Sequence, residues 1–319
     1  MDNPSTHQIY LAPLQGFTDF IYRRTQAEIF GHIDNYFCPY ISVGKQQQIR
    51  NSQLKDVLPE NNQGIHVVPQ VLFSDGNEFR ELCKLLEGFG YREINLNLGC
   101  PYPMVTNRGR GSALLQKPET IGEILDIAFS EFQLNFSVKL RSGLESEDEI
   151  FPVIETINRF PVSEVIYHPR IARQMYKGEV NITLFQKIKE ISKSPLVFNG
   201  DILSENDIQK VQGLVAGQTQ WMIGRGVLKD PFLPLILKGE NPDPGKRREM
   251  LFAFHEKIIA AYAVKLEGSS HLLQKMQAFW EYFSESFTNP HKVFKLIKKA
   301  GTIEKYEMAV KTIFTGYCS

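Results

Sequence analysis

The chain has 319 residues, 42% hydrophobic and 23% charged, with 36 basic residues against 36 acidic ones. This is the composition of an ordinary globular protein with room for one large α/β barrel or two average domains. Zero net charge excludes an overall field as the basis of binding, and no apolar run reaches the length of a membrane span.

In chain order, residues 1–10 are polar and lack the basic start and apolar run of a secretory signal. Cys38, Cys83, Cys100 and Cys318 are isolated from one another, with no Cys-x-x-Cys or Cys/His spacing suited to zinc. These features predict a cytoplasmic protein in a reducing compartment, without a metal site.

Short apolar runs bounded by turn residues follow at 9–12, 35–38, 66–72, 93–97, 136–140, 165–168, 196–199 and 221–223, predicting eight strands. Between them, residues 78–88, 118–129 and 204–211 have helical period, with Ser204 a candidate N-cap and Asp207 in the first turn. Eight such units in about 240 residues fit a (β/α)8 TIM barrel better than a doubly wound sheet, so a barrel domain is expected over 1–240. Asn241-Pro242-Asp243-Pro244-Gly245 then predicts a linker that cannot continue a helix. Beyond it, residues 247–266, 271–287, 292–299 and 303–315 carry apolar residues at helical spacing, predicting a small helical bundle over 246–319. That tail holds twelve basic and seven acidic residues, a basic module on a slightly acidic body.

In a barrel, reactive groups project from the C-terminal strand ends. The run Ile94-Asn95-Leu96-Asn97-Leu98-Gly99-Cys100-Pro101 leads a strand into a turn that presents Cys100, which is either a buried small hydrophobe or a reactive thiol. Gln70 lies in the third strand, and Asn97 and Cys100 follow the fourth. Lys139 and Arg141 close the fifth, and His168 and Arg170 the sixth. Asn199-Gly200-Asp201 and Gly224-Arg225-Gly226 end the last two strands with small residues that let backbone amides approach a phosphate, Arg225 adding a charge. Gly109-Arg110-Gly111 follows no strand directly and reads as a flexible loop near Cys100. Lys139 is expected as a buried cation facing the mouth. It needs a negative partner there, either a barrel acid or an anionic ligand such as a reduced flavin.

These motifs resemble the tRNA-dihydrouridine synthases. The matching pieces are Ala12-Pro13-Leu14-Gln15-Gly16-Phe17-Thr18-Asp19, Gln70, the Asn95–Pro101 stretch with the 109–115 loop, and Val138-Lys139-Leu140-Arg141-Ser142-Gly143. His168-Pro169-Arg170 with Gln174 and Tyr176, Asn199-Gly200-Asp201 and Ile223-Gly224-Arg225-Gly226 complete the set. The resemblance implies an FMN-dependent, NADPH-driven reduction of the uracil 5,6 double bond in tRNA. It places Pro13, Gln15, Gln70, Lys139 and His168 around the flavin ring and ribityl chain, with Asn199, Gly200, Asp201, Gly224 and Arg225 near its phosphate. Cys100 becomes the general acid to C5, a step for which a neutral thiol suffices. Asn97, Arg141, Arg170 and Tyr176, with His168, become candidates for holding the uracil edge and adjacent phosphates.

Leu14 and Pro169 depart from the family's usual methionine and glycine. Residues 275–282 resemble the subgroup acting on uridine 16 of the D-loop, and the basic tail suits an RNA-docking module. There Lys292 and Lys295, with Lys299, share one helical face able to meet backbone phosphates, while Trp280 and Tyr282 read as core. The protein is expected to act as a monomer. A flavin barrel with a small substrate and a non-catalytic RNA-binding relative are the alternatives.

Overall fold

Pro69 divides one strand of the sheet and thereby masks the closure of a barrel. A computed structural model of the chain describes residues 7–44 and 48–317; residues 1–6 of the polar start and Cys318 lie outside the described residues. The strands are β1 (Gln8–Leu11), β2 (Asn35–Phe37), β3 (Val67–Val68), β4 (Gln70–Val71), β5 (Glu93–Leu98), β6 (Asn135–Gly143), β7 (Val165–Ile171), β8 (Leu196–Asn199) and β9 (Gln220–Ile223). All pairs are parallel, in the order β3-β2-β1-β9-β8-β7-β6-β5-β4. The two ends of that order are successive halves of one extended segment, 67–71. Pro69 has no N–H to donate, so the ladder breaks at it. Its carbonyl still accepts from Asn95 N at 2.9 Å on one side, while Val68 O accepts from Cys38 N at 3.0 Å on the other. The ring is therefore closed, with eight strand positions, as a TIM barrel requires.

Strand alternation divides the apolar residues between two layers. Tyr10, Ala12, Phe37, Val68, Ile166, Val197 and Met222 form one cluster, whereas Ile9, Leu11 and their counterparts join the larger core shared with the helices. The remaining inward positions are polar and buried: Gln70, Asn95 and Ser137 stand in register across β4, β5 and β6. β6 and β7 run past the predicted strand ends, so Arg141 pairs with His168 inside the ladder. The predicted helix start at Ser204 is a capping box with Asp207, opening helix Glu205–Leu214.

The C-terminal helices are Pro244–Lys265, Ser269–Phe283, Pro290–Lys299 and Ile303–Gly316. The expected linker is shorter than its composition suggests, because Pro244 and Gly245 belong to the first of these helices. Asp243 caps that helix by accepting from Lys246 N at 3.0 Å, and Pro244 occupies a first-turn position where its missing N–H costs nothing. The apolar core continues from barrel to helices without a gap. Phe254 lies 5.1 Å from Phe30 and 5.7 Å from Tyr22, and packs on Phe279 and Phe283 behind them. Truncating such a ring costs about 3–5 kcal/mol. Trp280 is fully buried, its Nε1 donating to Tyr306 Oη at 2.8 Å. Among the described residues, no helix is long and apolar enough to cross a membrane.

Candidate active site

The C-terminal strand ends surround one cavity of about 380 Å³. Fourteen of the predicted site residues line it: Pro13, Gln15, Gln70, Asn97, Cys100, Lys139, Arg141, His168, Tyr176, Asn199, Gly200, Asp201, Gly224 and Arg225. Residues scattered over the sequence meet because each follows or ends a neighbouring strand of the ring.

A line of side-chain amides inside the barrel fixes the cysteine turn. Asn95 and Asn97 are two apart on β5 and so face the same way, toward Gln70 on β4. Asn95 Nδ2 donates to Ser137 Oγ at 2.8 Å, Gln70 Nε2 to Asn95 Oδ1 at 2.7 Å, and Asn97 Nδ2 to Gln70 Oε1 at 2.7 Å. Asn97 Oδ1 then accepts the backbone N–H groups of Gly99 at 3.1 Å and Cys100 at 2.9 Å. From the other side, Ser112 donates through N and Oγ to Cys100 O, at 3.1 and 2.9 Å. Gly111 has φ +60°, and a Cβ there would come within 2.8 Å of the same carbonyl. Arg110 is ion-paired with Glu78 and donates to Val43 O at 3.1 Å. The 109–111 loop, expected to be flexible, is therefore a buried clamp. Its glycines supply close approach and positive φ instead of mobility.

Cys100 packs with Leu72, Val105 and Tyr40 and is only 9% exposed. Burial pushes its thiol up. The N–H of Tyr102 and the charges of Arg141 and Lys139 pull the other way without prevailing, so the thiol is protonated at neutral pH.

The neighbouring strands make the wall cationic. Lys139, half-buried on β6, donates from Nζ to the neutral Asn199 Oδ1 at 2.7 Å. Burial, reinforced by the nearby Arg141, lowers its ammonium to about 7. Arg141 is itself lowered to about 10, chiefly by burial. Burial and the surrounding cations hold His168 well below its usual value, leaving it neutral. Asp201 is the one carboxylate among the described lining residues, and both its oxygens are taken: Arg225 donates to Oδ1 at 2.7 Å, and Arg170 is ion-paired with Oδ2.

Arg170 is the prediction that fails geometrically. It lies on the same side of β7 as His168, as period two requires, but its side chain turns to Asp201 and Gly178 O, the latter at 2.5 Å. It is 1% exposed and does not line the cavity. Lys292 and Lys295 are exposed on helix Pro290–Lys299, away from the cavity, above the buried Val293 and Ile297.

The two glycine turns bring backbone close to the wall. A Cβ at Gly200 would meet Val180 at 2.7 Å and His168 at 3.2 Å, and one at Gly226 would meet Ile202 O at 2.2 Å. Tyr176 lies beneath two guanidinium groups, those of Arg225 at 4.5 Å and Arg141 at 5.4 Å from its ring centre. Phe17, Tyr40, Tyr102, Met104 and Leu203 also line the cavity without having been singled out. Tyr102 and Met104 follow Cys100 so closely that their place was readable, whereas Tyr40 sits beyond the end of a short strand and carried no signal. Tyr282, expected in the core beside Trp280, instead reaches the mouth and meets Phe17 edge-on at 5.0 Å. Two positions apart on a helix, the two side chains point in different directions.

A family model described as dihydrouridine synthase (Dus) matches residues 10–313. The chain is 24% identical over 314 residues to the tRNA-dihydrouridine(16) synthase of Vibrio parahaemolyticus, with 91% of each chain covered. It is 28% identical over 246 residues to the tRNA-dihydrouridine(16) synthase of Salmonella typhimurium, covering 74% of this chain and 77% of that one. It is 26% identical over 233 residues to tRNA-dihydrouridine synthase B of Pasteurella multocida, covering 73% and 69%. Among solved structures, morphinone reductase shares the fold, with TM-score 0.53 and 9% identity over 77% of this chain and 93% of that one.

Proposed function

The chain belongs to the dihydrouridine synthase family, and from that premise we propose that it reduces the 5,6 double bond of a D-loop uridine in tRNA, with FMN as bound cofactor and NADPH as reductant. Uridine 16 is the position named for relatives that align along nine-tenths of this chain. The activity belongs to the cytoplasm, where tRNA is modified, and to a monomer.

The cavity fits an anionic flavin on its own chemistry. Its wall carries Lys139, Arg141 and Arg225, while its single carboxylate is already paired. A lysine held only by a neutral amide in a desolvated site gains from any anion that enters. Gly200 and Gly224 both line the cavity, where their backbone can approach a phosphate. When bound, FMN reduced by NADPH supplies the hydride that reaches C6 of the uracil.

The protein's own residues do the rest. Pro13, Gln15, Gln70, Lys139 and His168 border the ring and ribityl chain. Asn199, Gly200, Gly224 and Arg225 hold the phosphate, with Asp201 keeping Arg225 in place. Arg170 acts from behind by holding Asp201. Arg141 and Tyr176 hold the extruded base, and Cys100 gives its proton to C5. Asn97 serves both sides, lining the cavity while its Oδ1 fixes the turn that presents the thiol. The helices of 246–319 form the RNA-docking module, Lys292 and Lys295 meeting backbone phosphates.

The observation that carries this reading is a buried Cys100 in one cavity with Lys139, Arg141 and Arg225, where the one carboxylate among the described lining residues is already paired. Incubating purified protein with FMN, NADPH and an unmodified tRNA transcript tests it. Dihydrouridine at one D-loop position supports the proposal, and a flavin-loaded protein that leaves every uridine intact refutes it.

A further inference from the structure

Lys275 stands where the helical module touches the barrel. From helix Ser269–Phe283 its Nζ donates to Gly16 O at 2.7 Å and lies 3.7 Å from Asp19 Oδ2. Asp19 caps helix Phe20–Ile29 by accepting from Tyr22 N at 3.2 Å. The same carboxylate takes the hydroxyl of Tyr262 at 2.8 Å and the ammonium of Lys265 at 3.2 Å. A buried barrel carboxylate is thus neutralised entirely from the C-terminal helices. Burial alone pushes that carboxyl up, and Lys275 and Lys265 outweigh it, holding the group below the usual carboxylate range.

The segment between these contacts is a wall of the cavity. Ala12, Pro13, Leu14, Gln15 and Phe17 all line it. The loop is wound tightly: Leu14 N donates to Thr18 Oγ1 at 2.8 Å, Phe17 N and Thr18 N both donate to Leu14 O at 3.0 Å, and Thr18 Oγ1 donates to Ala12 O at 3.2 Å. Gly16 at its tip has φ +83°, a conformation that suits glycine, and the ammonium of Lys275 takes its carbonyl. Tyr282, two turns further along the same helix, rests on Phe17.

Resting on the flavin reading above, we propose that Lys275 and Asp19 are positioning residues through which the helical module holds the 12–19 loop as a wall of the cofactor cavity. The module is then part of the flavin site as well as an attachment for RNA. Without the Lys275 contact, Gly16 O loses its charged donor, and the loop that carries Pro13 and Gln15 is free to shift.

The test is fluorescence titration of flavin-stripped, full-length protein with FMN, run beside thermal melting. Lys275→Met is expected to weaken FMN binding about tenfold, the scale of one lost charge-assisted hydrogen bond. Lys275→Arg, which keeps charge and donors, recovers most of that loss. A lower melting temperature with unchanged FMN affinity means the contact is mere structural glue, and overturns the proposal. Should Lys275→Met fail to fold, Lys275→Ala beside Lys275→Gln is read instead: Ala removes the donor to Gly16 O and the charge for Asp19, and FMN affinity equal to wild type in Ala overturns the proposal, whereas Gln, which keeps a donor, is expected to lose less. A wild-type chain that binds no FMN overturns the flavin reading itself, whereas FMN binding that all variants share overturns only the role of Lys275.

Discussion

Lys139 Nζ donates to Asn199 Oδ1 at 2.7 Å, so the lysine of the cavity wall is held by an amide that cannot neutralise it. Asn199 is fixed in turn by its Nδ2, which donates to Met222 O at 2.8 Å. The ammonium falls to about 7 because burial and Arg141 disfavour its charge. Between about 7 and the ordinary lysine value, the unfolded chain holds a proton that the folded chain has released. Stability of the flavin-free protein therefore rises with pH across that window. Lys139→Met removes the penalty. The flavin-free variant should melt a few degrees above wild type at neutral pH, the gap narrowing as pH climbs toward 10, while FMN affinity falls tenfold or more. Differential scanning calorimetry at stepped pH checks this, and a gap that widened with pH would reject it.

If Cys100 is the proton donor, Cys100→Ala removes the acid and little else. FMN and tRNA affinities should stay near wild type while the rate of dihydrouridine formation falls by about 10²–10⁴. The sign of the pH dependence follows from the thiol, which burial raises above its ordinary value. The acid form persists through neutral pH, so wild-type activity should be flat from about pH 6 to pH 8 and fall only on the alkaline side. Single-turnover assays give both quantities. An activity that rises as the thiol ionises would identify a nucleophile instead.

The barrel and most of its mouth were legible because strand ends carry their own punctuation. Turn residues after each apolar run located β1 through β9 to within a few residues, and the rule that reactive groups project from C-terminal strand ends brought Gln70, Asn97, Lys139 and His168 to one mouth. What could not be read was the second half of each interaction. Arg170 and His168 share a face, yet only the fold decides that Asp201, in the turn after the next strand, draws the guanidinium out of the cavity. Gly109-Arg110-Gly111 has the composition of a mobile loop, and only the packing of Gly111 on Cys100 O makes it rigid. The contacts of Lys275 with Gly16 and of Tyr282 with Phe17 join positions more than 250 residues apart, beyond the reach of any local pattern.

That clamp supplies a paired test. Gly109 and Gly111 both have positive φ, at +69° and +60°, but a Cβ on Gly109 meets nothing within 4 Å whereas one on Gly111 meets Cys100 O at 2.8 Å and Val105 at 3.1 Å. Gly109→Ala should cost about 1 kcal/mol from backbone strain alone. Gly111→Ala adds a clash with the cysteine turn, so it should be markedly less stable and also lose activity out of proportion to its folded fraction. Urea denaturation with parallel rate measurements distinguishes the two, and equal losses at both positions would remove Gly111 from the account of how the thiol is placed.

Lys292 and Lys295 lie on the exposed face of a helix whose Val293 and Ile297 are buried, so their charges serve the surface and not the fold. Lys292 does rest over the Tyr317 ring at 5.2 Å, an exposed contact worth about 0.5–1 kcal/mol. Reversing both charges leaves the core intact and should leave FMN content unchanged. If the pair meets backbone phosphates of a folded RNA, Lys292→Glu with Lys295→Glu should weaken tRNA binding by tenfold or more. It should also flatten the fall of log affinity with log salt by about two phosphate contacts' worth, because fewer counterions are released. The dependence on salt matters more than the loss itself: a variant that binds less tightly with an unaltered salt slope has been damaged by other means, and the docking face must then be sought elsewhere on the module.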